Sequence, residues 1–332
     1  RKGDRVTLSW SEPALTTDRQ SVRYLGPTLI CRSLESEIAE CGTLAATLPA
    51  PSVVPQRPKS SRGKAPKSES QHPTRQAYTD TLPAALQQQD PAAEVTYAVE
   101  VLNRNARSAG LSNRVHVPAI ATLPPPGDLS AKLTGDGTAL TWTSAANQKP
   151  AASPAVELRY RIYRRDESSG KDAIAGEVPV PSAEPSPVHF TDTGLEWEKT
   201  YLYRVAAVTF LKRPDSEVQI EGDDTPPVRV VAHDVFPPNV PAGLQAAYSG
   251  EGQKPFIDLI WAPVTNPDLA GYNVYRAEAN GAAVKVNSDP VKSPAYRDSA
   301  VVPGKTYTYA VSAIDVRGNE SQRSEPTSES AP

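Results

Sequence analysis

KTYLYRVAAV, residues 199–208, alternates: Tyr201, Tyr203, Val205 and Ala207 fall on one face of an extended chain and their neighbours on the other. The pattern predicts a half-buried strand. It returns 106 residues later as KTYTYAVSAI (305–314), with Tyr307, Tyr309, Val311 and Ala313 on one face, and 105 residues earlier in the looser form EVTYAVEVLN (94–103). Other alternating runs recur around it in fixed order. A tryptophan-bearing run comes first: RVTLSW ending at Trp10, TALTWT around Trp142 and FIDLIW ending at Trp261. Next is a tyrosine–arginine run, YRIYRR at 160–165 and YNVYRA at 272–277, whose place in the first unit is filled by TLICRS at 28–33. A short run closes on aspartate: AYTD to Asp80, HFTD to Asp192, YRD to Asp298. Closing strands are expected near 112–119, 226–234 and 322–328. Units two and three also open on proline-led runs, PPPGDLSAKL and PPNVPAGLQAAY. Unit one has no such run before Trp10, so its first strand is expected upstream of Arg1.

Short alternating strands with frequent turn signals, in units near 105 residues, predict an all-β chain of tandem antiparallel sandwiches. Three domains are expected: 1–120, lacking its first strand and carrying an insertion at about 49–76; 124–234; and 238–332. The order of a tryptophan strand, a Y-x-[IV]-Y-R strand and a late Y-x-Y-x-V-x-A strand resembles the fibronectin type III domain, an immunoglobulin-like sandwich. That resemblance implies core tryptophans at Trp10, Trp142 and Trp261. It also implies a tyrosine corner at Tyr201 and Tyr307, where a phenol bonds back to the backbone; VVPGKTY supplies the turn in the last unit. Val95 stands in that place in unit one, so its corner is missing or rebuilt. Proline-rich linkers at 121–128 and 235–243 predict extended, semi-rigid connections and an elongated array.

Composition sharpens this picture. The 34 prolines favour turns and strand ends over long helices, because proline fixes φ and removes a backbone donor. A net charge of −3 gives no reason to expect nucleic acid. No apolar run is long enough for a membrane helix. There is no signal peptide and no methionine, which reads as a mature or excised portion of a longer protein.

Chemistry has few footholds. The four histidines, His72, His116, His189 and His233, lie in different units and outside every catalytic signature considered, so neither a catalytic residue nor a cofactor is expected. The acidic run EGDD at 221–224 lacks the spacing of a calcium loop and reads as a solvated hairpin tip; no metal site is expected. KGDR at 2–5 resembles an adhesion tripeptide but begins a strand instead of occupying a loop tip. Cys31 and Cys41, placed on adjacent strands of one hairpin, suit a local disulfide; two free thiols are the alternative. The stretch 49–76 is rich in proline, serine and lysine, and sets Arg57, Lys59, Arg62, Lys64, Lys67 and Arg75 against one acid, Glu69. It predicts a mobile surface loop. It is either a tolerated insertion or a tether for an anionic partner such as lipid headgroups or an acidic envelope polymer.

The functional expectation is a non-catalytic, exported bacterial protein, extracellular, periplasmic or at the cell surface, with a lipid anchor possible upstream. It would space, display or bind protein partners or an envelope polymer. The loop GNES at 318–321 resembles loops of fibronectin-type modules in secreted bacterial proteins. Two alternatives stand beside it: accessory modules of a larger secreted enzyme, or direct glycan binding. Binding of glycans needs exposed planar aromatics, and Trp197, in GLEWEK, is the one tryptophan outside the core-strand positions.

Overall fold

The computed structural model describes residues 1–22, 24–51, 74–89, 93–145, 156–181, 186–250, 252–278 and 281–332. The predicted strands form in chain order. The first set is β1 (Arg5–Ser11), β2 (Thr28–Ser33), β3 (Thr43–Leu48), β4 (Arg75–Thr81), a six-residue helix α1 (Ala84–Gln89), β5 (Glu94–Leu102), β6 (Ser108–Leu111) and β7 (Val115–Pro118). The second is β8 (Gly127–Thr134), β9 (Gly137–Thr143), β10 (Val156–Asp166), β11 (Asp172–Pro179), β12 (Pro187–Asp192), β13 (Lys199–Lys212), β14 (Glu217–Asp224) and β15 (Val228–Ala232). The third is β16 (Gln245–Ser249), β17 (Phe256–Ile260), β18 (Leu269–Glu278), β19 (Val284–Lys285), β20 (Ala295–Asp298), β21 (Lys305–Asp315) and β22 (Thr327–Ala331).

Each set makes two sheets with the same strand order. The tryptophan strand pairs with the aspartate strand: β1 with β4, β9 between β12 and β8, β17 between β16 and β20. The tyrosine–arginine strand pairs with the repeated phrase: β3-β2-β5-β6 with β7 on β5, β11-β10-β13-β14 with β15 on β13, and β19-β18-β21-β22. Among the described residues the first tryptophan sheet therefore has two strands where its counterparts have three. Alternation decides what fills each core. In the first set Val6, Leu8, Ile30, Val95, Tyr97 and Val99 cluster out of water. In the third Ile257, Leu259, Trp261, Tyr272, Val274 and Tyr309 do the same. Burying each such aliphatic or aromatic side chain is worth about 1.5–3 kcal/mol.

The repeated phrase departs from simple half-burial. From Val205 to Leu211 every residue of β13 is buried, and in β5 the run Val95–Val99 is likewise continuous. The outer face is covered because small residues there lie in register beside bulkier neighbours. Ala98 faces Cys31, Ala206 faces Arg161 and Ser312 faces Asn273.

The chain gathers into two compact units. One comprises Arg1–Lys132, Ala139–Asp192 and Tyr201–Val230; the other comprises Leu133–Thr138, Thr193–Thr200 and Val231–Pro332. The proline-rich stretch 121–128 is expected to be an extended, semi-rigid connection, yet its beginning is packed inside the first unit. Ile120 and Leu123 are each 1% exposed. Gly222 runs so close that a Cβ there would stand 2.7 Å from the Leu123 carbonyl oxygen. Apolar side chains at these two positions outweigh the stiffness of the prolines that follow them.

Cys31 and Cys41 form a disulfide, with Cα atoms 5.2 Å apart. Cys41 lies in the turn two residues before β3, not on the strand itself, while Cys31 is buried on β2 against Ala98. The bridge closes a short loop and holds the β2–β3 connection. Cys41→Ser should lower the stability of the first unit by about 2–3 kcal/mol. Calorimetry of the whole chain checks this: the transition assigned to the first unit moves down, and that of the second stays in place.

Candidate functional site

The most distinctive polar feature is a buried trio present three times. Asp80 lies one residue before the end of β4, Asp192 and Asp298 end β12 and β20, and the three are 5%, 3% and 3% exposed. Each carboxylate takes two donors from the opposite sheet. Arg32 Nη1 and the Tyr97 hydroxyl both lie 2.6 Å from Asp80 Oδ2. Arg164 Nη1 donates to both oxygens of Asp192 at 2.9 and 2.7 Å, and Tyr203 donates at 2.8 Å. Arg276 Nη1 donates to Asp298 Oδ2 at 2.8 Å, and Tyr309 at 2.9 Å.

Register explains the recurrence. Arg32 sits directly opposite Tyr97, Arg164 opposite Tyr203 and Arg276 opposite Tyr309, so both donors project together toward the facing sheet. Burial, reinforced by the bond to aspartate, pushes the Tyr97 and Tyr309 phenols well above the usual tyrosine range. Burial alone would lower the Arg164 and Arg276 guanidiniums, but the carboxylates they touch raise them. The Tyr97 and Tyr309 phenols and the Arg164 and Arg276 guanidiniums thus keep their ordinary charge state at neutral pH. The trio ties sheet to sheet. The residues were visible in the sequence as separate recurrences, arginine on one strand and aspartate on another. Nothing in their spacing showed that they meet.

The expected structural residues fall as follows. Tyr307 is fully buried and its oxygen accepts a hydrogen bond from the Val302 amide at 2.9 Å, beside the Arg276 guanidinium. Tyr201 is buried next to Tyr203, their rings 6.3 Å apart, with Arg164 over its face. Val95, also fully buried, holds that place in the first set. Trp142 and Trp261 are buried edge-on against Tyr160 and Tyr272, at 5.6 and 5.1 Å. Trp10 is only half-buried, at the margin of the first core.

Two motifs set aside separately turn out to be partners. EGDD is no hairpin tip: Glu221–Asp224 end strand β14, and KGDR lies against them. Lys2 Nζ bonds Asp224 Oδ2 at 2.5 Å and approaches Glu221 Oε1 at 3.4 Å. Arg5 pairs with Asp223, and the Gly3 amide donates to the Glu221 carbonyl at 2.7 Å. Beside them the Arg1 guanidinium donates to the carbonyls of Pro118 and Ile120, and burial draws its pKa down to about 10. The run is acidic because it receives a basic segment from far away in the chain.

Other candidates resolve into local contacts. Arg75 starts β4 and reaches Ser9 Oγ at 3.1 Å; Arg57, Lys59, Arg62, Lys64 and Lys67 lie outside the described residues, as does His72. His116 bonds Thr96, His189 bonds Thr141 and His233 bonds Glu198. Trp197 is half-buried with its ring 6.0 Å from that of Phe236. Asp234, Asp268 and Asp315 bring carboxylate oxygens within 4.8 Å of one another. Arg317 bonds Asp234 at 3.1 Å, and Asp315 accepts from the amides of Arg317 and Asn319 at 2.8 Å, so protein donors already serve that cluster.

The strand order and paired all-β sheets are those of tandem fibronectin type III-like sandwiches. No protein-family model matches the chain. Among curated proteins, it is 31% identical over 127 residues to an amylopullulanase of Thermoanaerobacterium saccharolyticum, covering 38% of this chain and 9% of that one. It is 32% identical over 164 residues to exoglucanase B of Cellulomonas fimi, covering 47% and 13%. It is 34% identical over 88 residues to an amylopullulanase of Thermoanaerobacterium thermosulfurigenes, covering 26% and 4%. The chain thus spans a small part of each relative's length. Similar solved structures include an Fn3-like protein from Clostridium thermocellum, at 29% identity over 29% of this chain and 94% of that one, with a TM-score of 0.25. The FN1-FN3 domains of chicken CNTN1 align over 99% of this chain and 94% of theirs, at 14% identity and a TM-score of 0.27.

Two outcomes test the contacts described above. Asp298→Ala leaves Arg276 buried without its counter-charge and should destabilise the second unit by about 3–5 kcal/mol in urea titrations. Tyr309→Phe should cost about 1–3 kcal/mol at pH 7. Because the Tyr309 pKa is raised in the folded chain, its contribution is complete below the unfolded value near 10 and fades as pH climbs beyond it. The wild type should therefore lose stability above about pH 10 more steeply than Tyr309→Phe.

Proposed function

We propose that this chain is a non-catalytic array of three fibronectin type III-like modules, 1–120, 124–234 and 238–332, serving a larger secreted glycoside hydrolase. The observation that carries the reading is that the amylopullulanases and the exoglucanase match it only over segments amounting to 4–13% of their lengths. Segments shared by hydrolases named for different glucans behave as portable modules, not as the part that makes or breaks a bond. The sandwiches suit that role, since each holds its sheets together with an aspartate trio. A disulfide in a short loop fits an oxidising, extracellular setting. No helix among the described residues is long and apolar enough to cross a membrane. In this role the modules space a catalytic domain from a protein partner or envelope polymer.

The complete open reading frame around this chain tests the assignment. A glycoside hydrolase domain is expected in the same polypeptide; a frame containing only further sandwiches overturns the accessory role and leaves a spacer or display protein. The isolated chain should release no reducing sugar from pullulan or hydroxyethyl cellulose. Release of sugar by the purified chain would disprove the non-catalytic assignment.

A further inference from the structure

The first unit carries a groove that the array reading does not use. It lies between the loop joining β1 to β2 and the turn joining β5 to β6, with a volume of about 680 Å³. Tyr24 stands in it, 51% exposed, with the Arg104 guanidinium 4.3 Å from its ring centre. Around the ring are Asp18, Gln20, Asn103 and Asn105.

Both walls are braced by their own hydrogen bonds. The β1–β2 loop folds into a miniature hairpin: Leu15 bridges Ser21, the Thr16 amide donates to the Gln20 carbonyl at 2.8 Å, and the Gln20 amide donates to Thr16 Oγ1 at 3.0 Å. Opposite, Asn103 Oδ1 accepts from the amides of Asn105 and Arg107 at 2.8 and 3.0 Å. The Gly26 amide donates to the Leu102 carbonyl at 2.7 Å and joins the walls. A Cβ at Gly26 would stand 2.5 Å from the Asn103 carbonyl oxygen, so only glycine permits this approach. Against these braced walls, the Gln20 and Asn105 side-chain amides, the Arg104 N–H groups and the Tyr24 hydroxyl have no protein hydrogen-bond partner among the described residues.

We infer that this groove binds a neutral polysaccharide, with Tyr24 as the surface on which a sugar ring stacks. A pyranose offers C–H groups on its face and hydroxyls around its rim. The groove offers the complement: a half-exposed ring, with the Arg104 guanidinium over one face, edged by planar amide and carboxylate groups able to meet neighbouring hydroxyls. Among the described residues one acid and one base line it, which gives no net charge there to attract an anionic polymer. Few apolar side chains line it, which disfavours a lipid or a hydrophobic peptide. Rigid Tyr with adaptable Ser, Asn and Gln on sandwich loops is also an economical way to form contacts without large ordering costs.

Native affinity electrophoresis of the intact chain tests this, in gels containing pullulan, hydroxyethyl cellulose or polygalacturonate. Retardation is expected in at least one neutral glucan and not in polygalacturonate. Tyr24→Ala should weaken it by about tenfold or more, whereas Tyr24→Phe keeps the stacking ring and most of the binding. Tyr24 is outside the core, so calorimetry should show both variants folded; Asn105→Ala, also exposed, gives a second variant expected to weaken binding. The inference is overturned by no retardation in either neutral glucan, by retardation in polygalacturonate alone, or by retardation unchanged in folded Tyr24→Ala. It stands apart from the accessory-array reading, because the gels read binding by this chain whether or not a hydrolase domain adjoins it.

Discussion

A carboxylate removed from water must be paired, and in this protein that requirement fixes how the sheets face each other. Asp80, Asp192 and Asp298 each leave the aspartate strand of one sheet and find an arginine and a tyrosine on the other. The two donors are opposed in register on neighbouring strands. A slip of one residue would turn both toward the outside and strand the acid, so the trio selects one register as well as one sheet pairing. Apolar burial supplies the larger share of stabilisation but is tolerant of sliding. The trio is not.

The same logic of distant partners acts at the start of the chain. Lys2, Gly3 and Arg5 lie along the acidic end of β14, and Arg1 caps the carbonyls of Pro118 and Ile120. Ion pairs as exposed as these are individually worth little, about 0–1 kcal/mol. Their number, together with the burial of Ile120 and Leu123, holds the beginning of the proline-rich stretch inside the first unit. Charge here positions one segment against another more than it adds stability.

Function is then left to what the sandwiches carry on their edges and loops, since the strands are committed to cores and clamps. His116, His189, His233 and the tight acidic cluster are engaged by neighbouring protein groups. The groove at Tyr24 is different in kind, because its walls are braced by their own hydrogen bonds and several of its polar groups have no hydrogen-bond partner among the described residues.

Alternation, the recurrence interval and the order of tryptophan, arginine, aspartate and tyrosine runs were enough to determine an all-β chain of repeated sandwiches. These are local properties: side-chain period follows from backbone geometry and needs no knowledge of distant neighbours. Tertiary structure alone decided that three recurring aspartates meet three recurring arginines, and that KGDR and EGDD, each unremarkable by itself, are a matched pair. It alone set Trp197 against Phe236 and left Tyr24 open. Contacts made across hundreds of residues, or between two sheets, depend on which faces come together; that choice is made by the sum of packing, and no stretch of sequence records it.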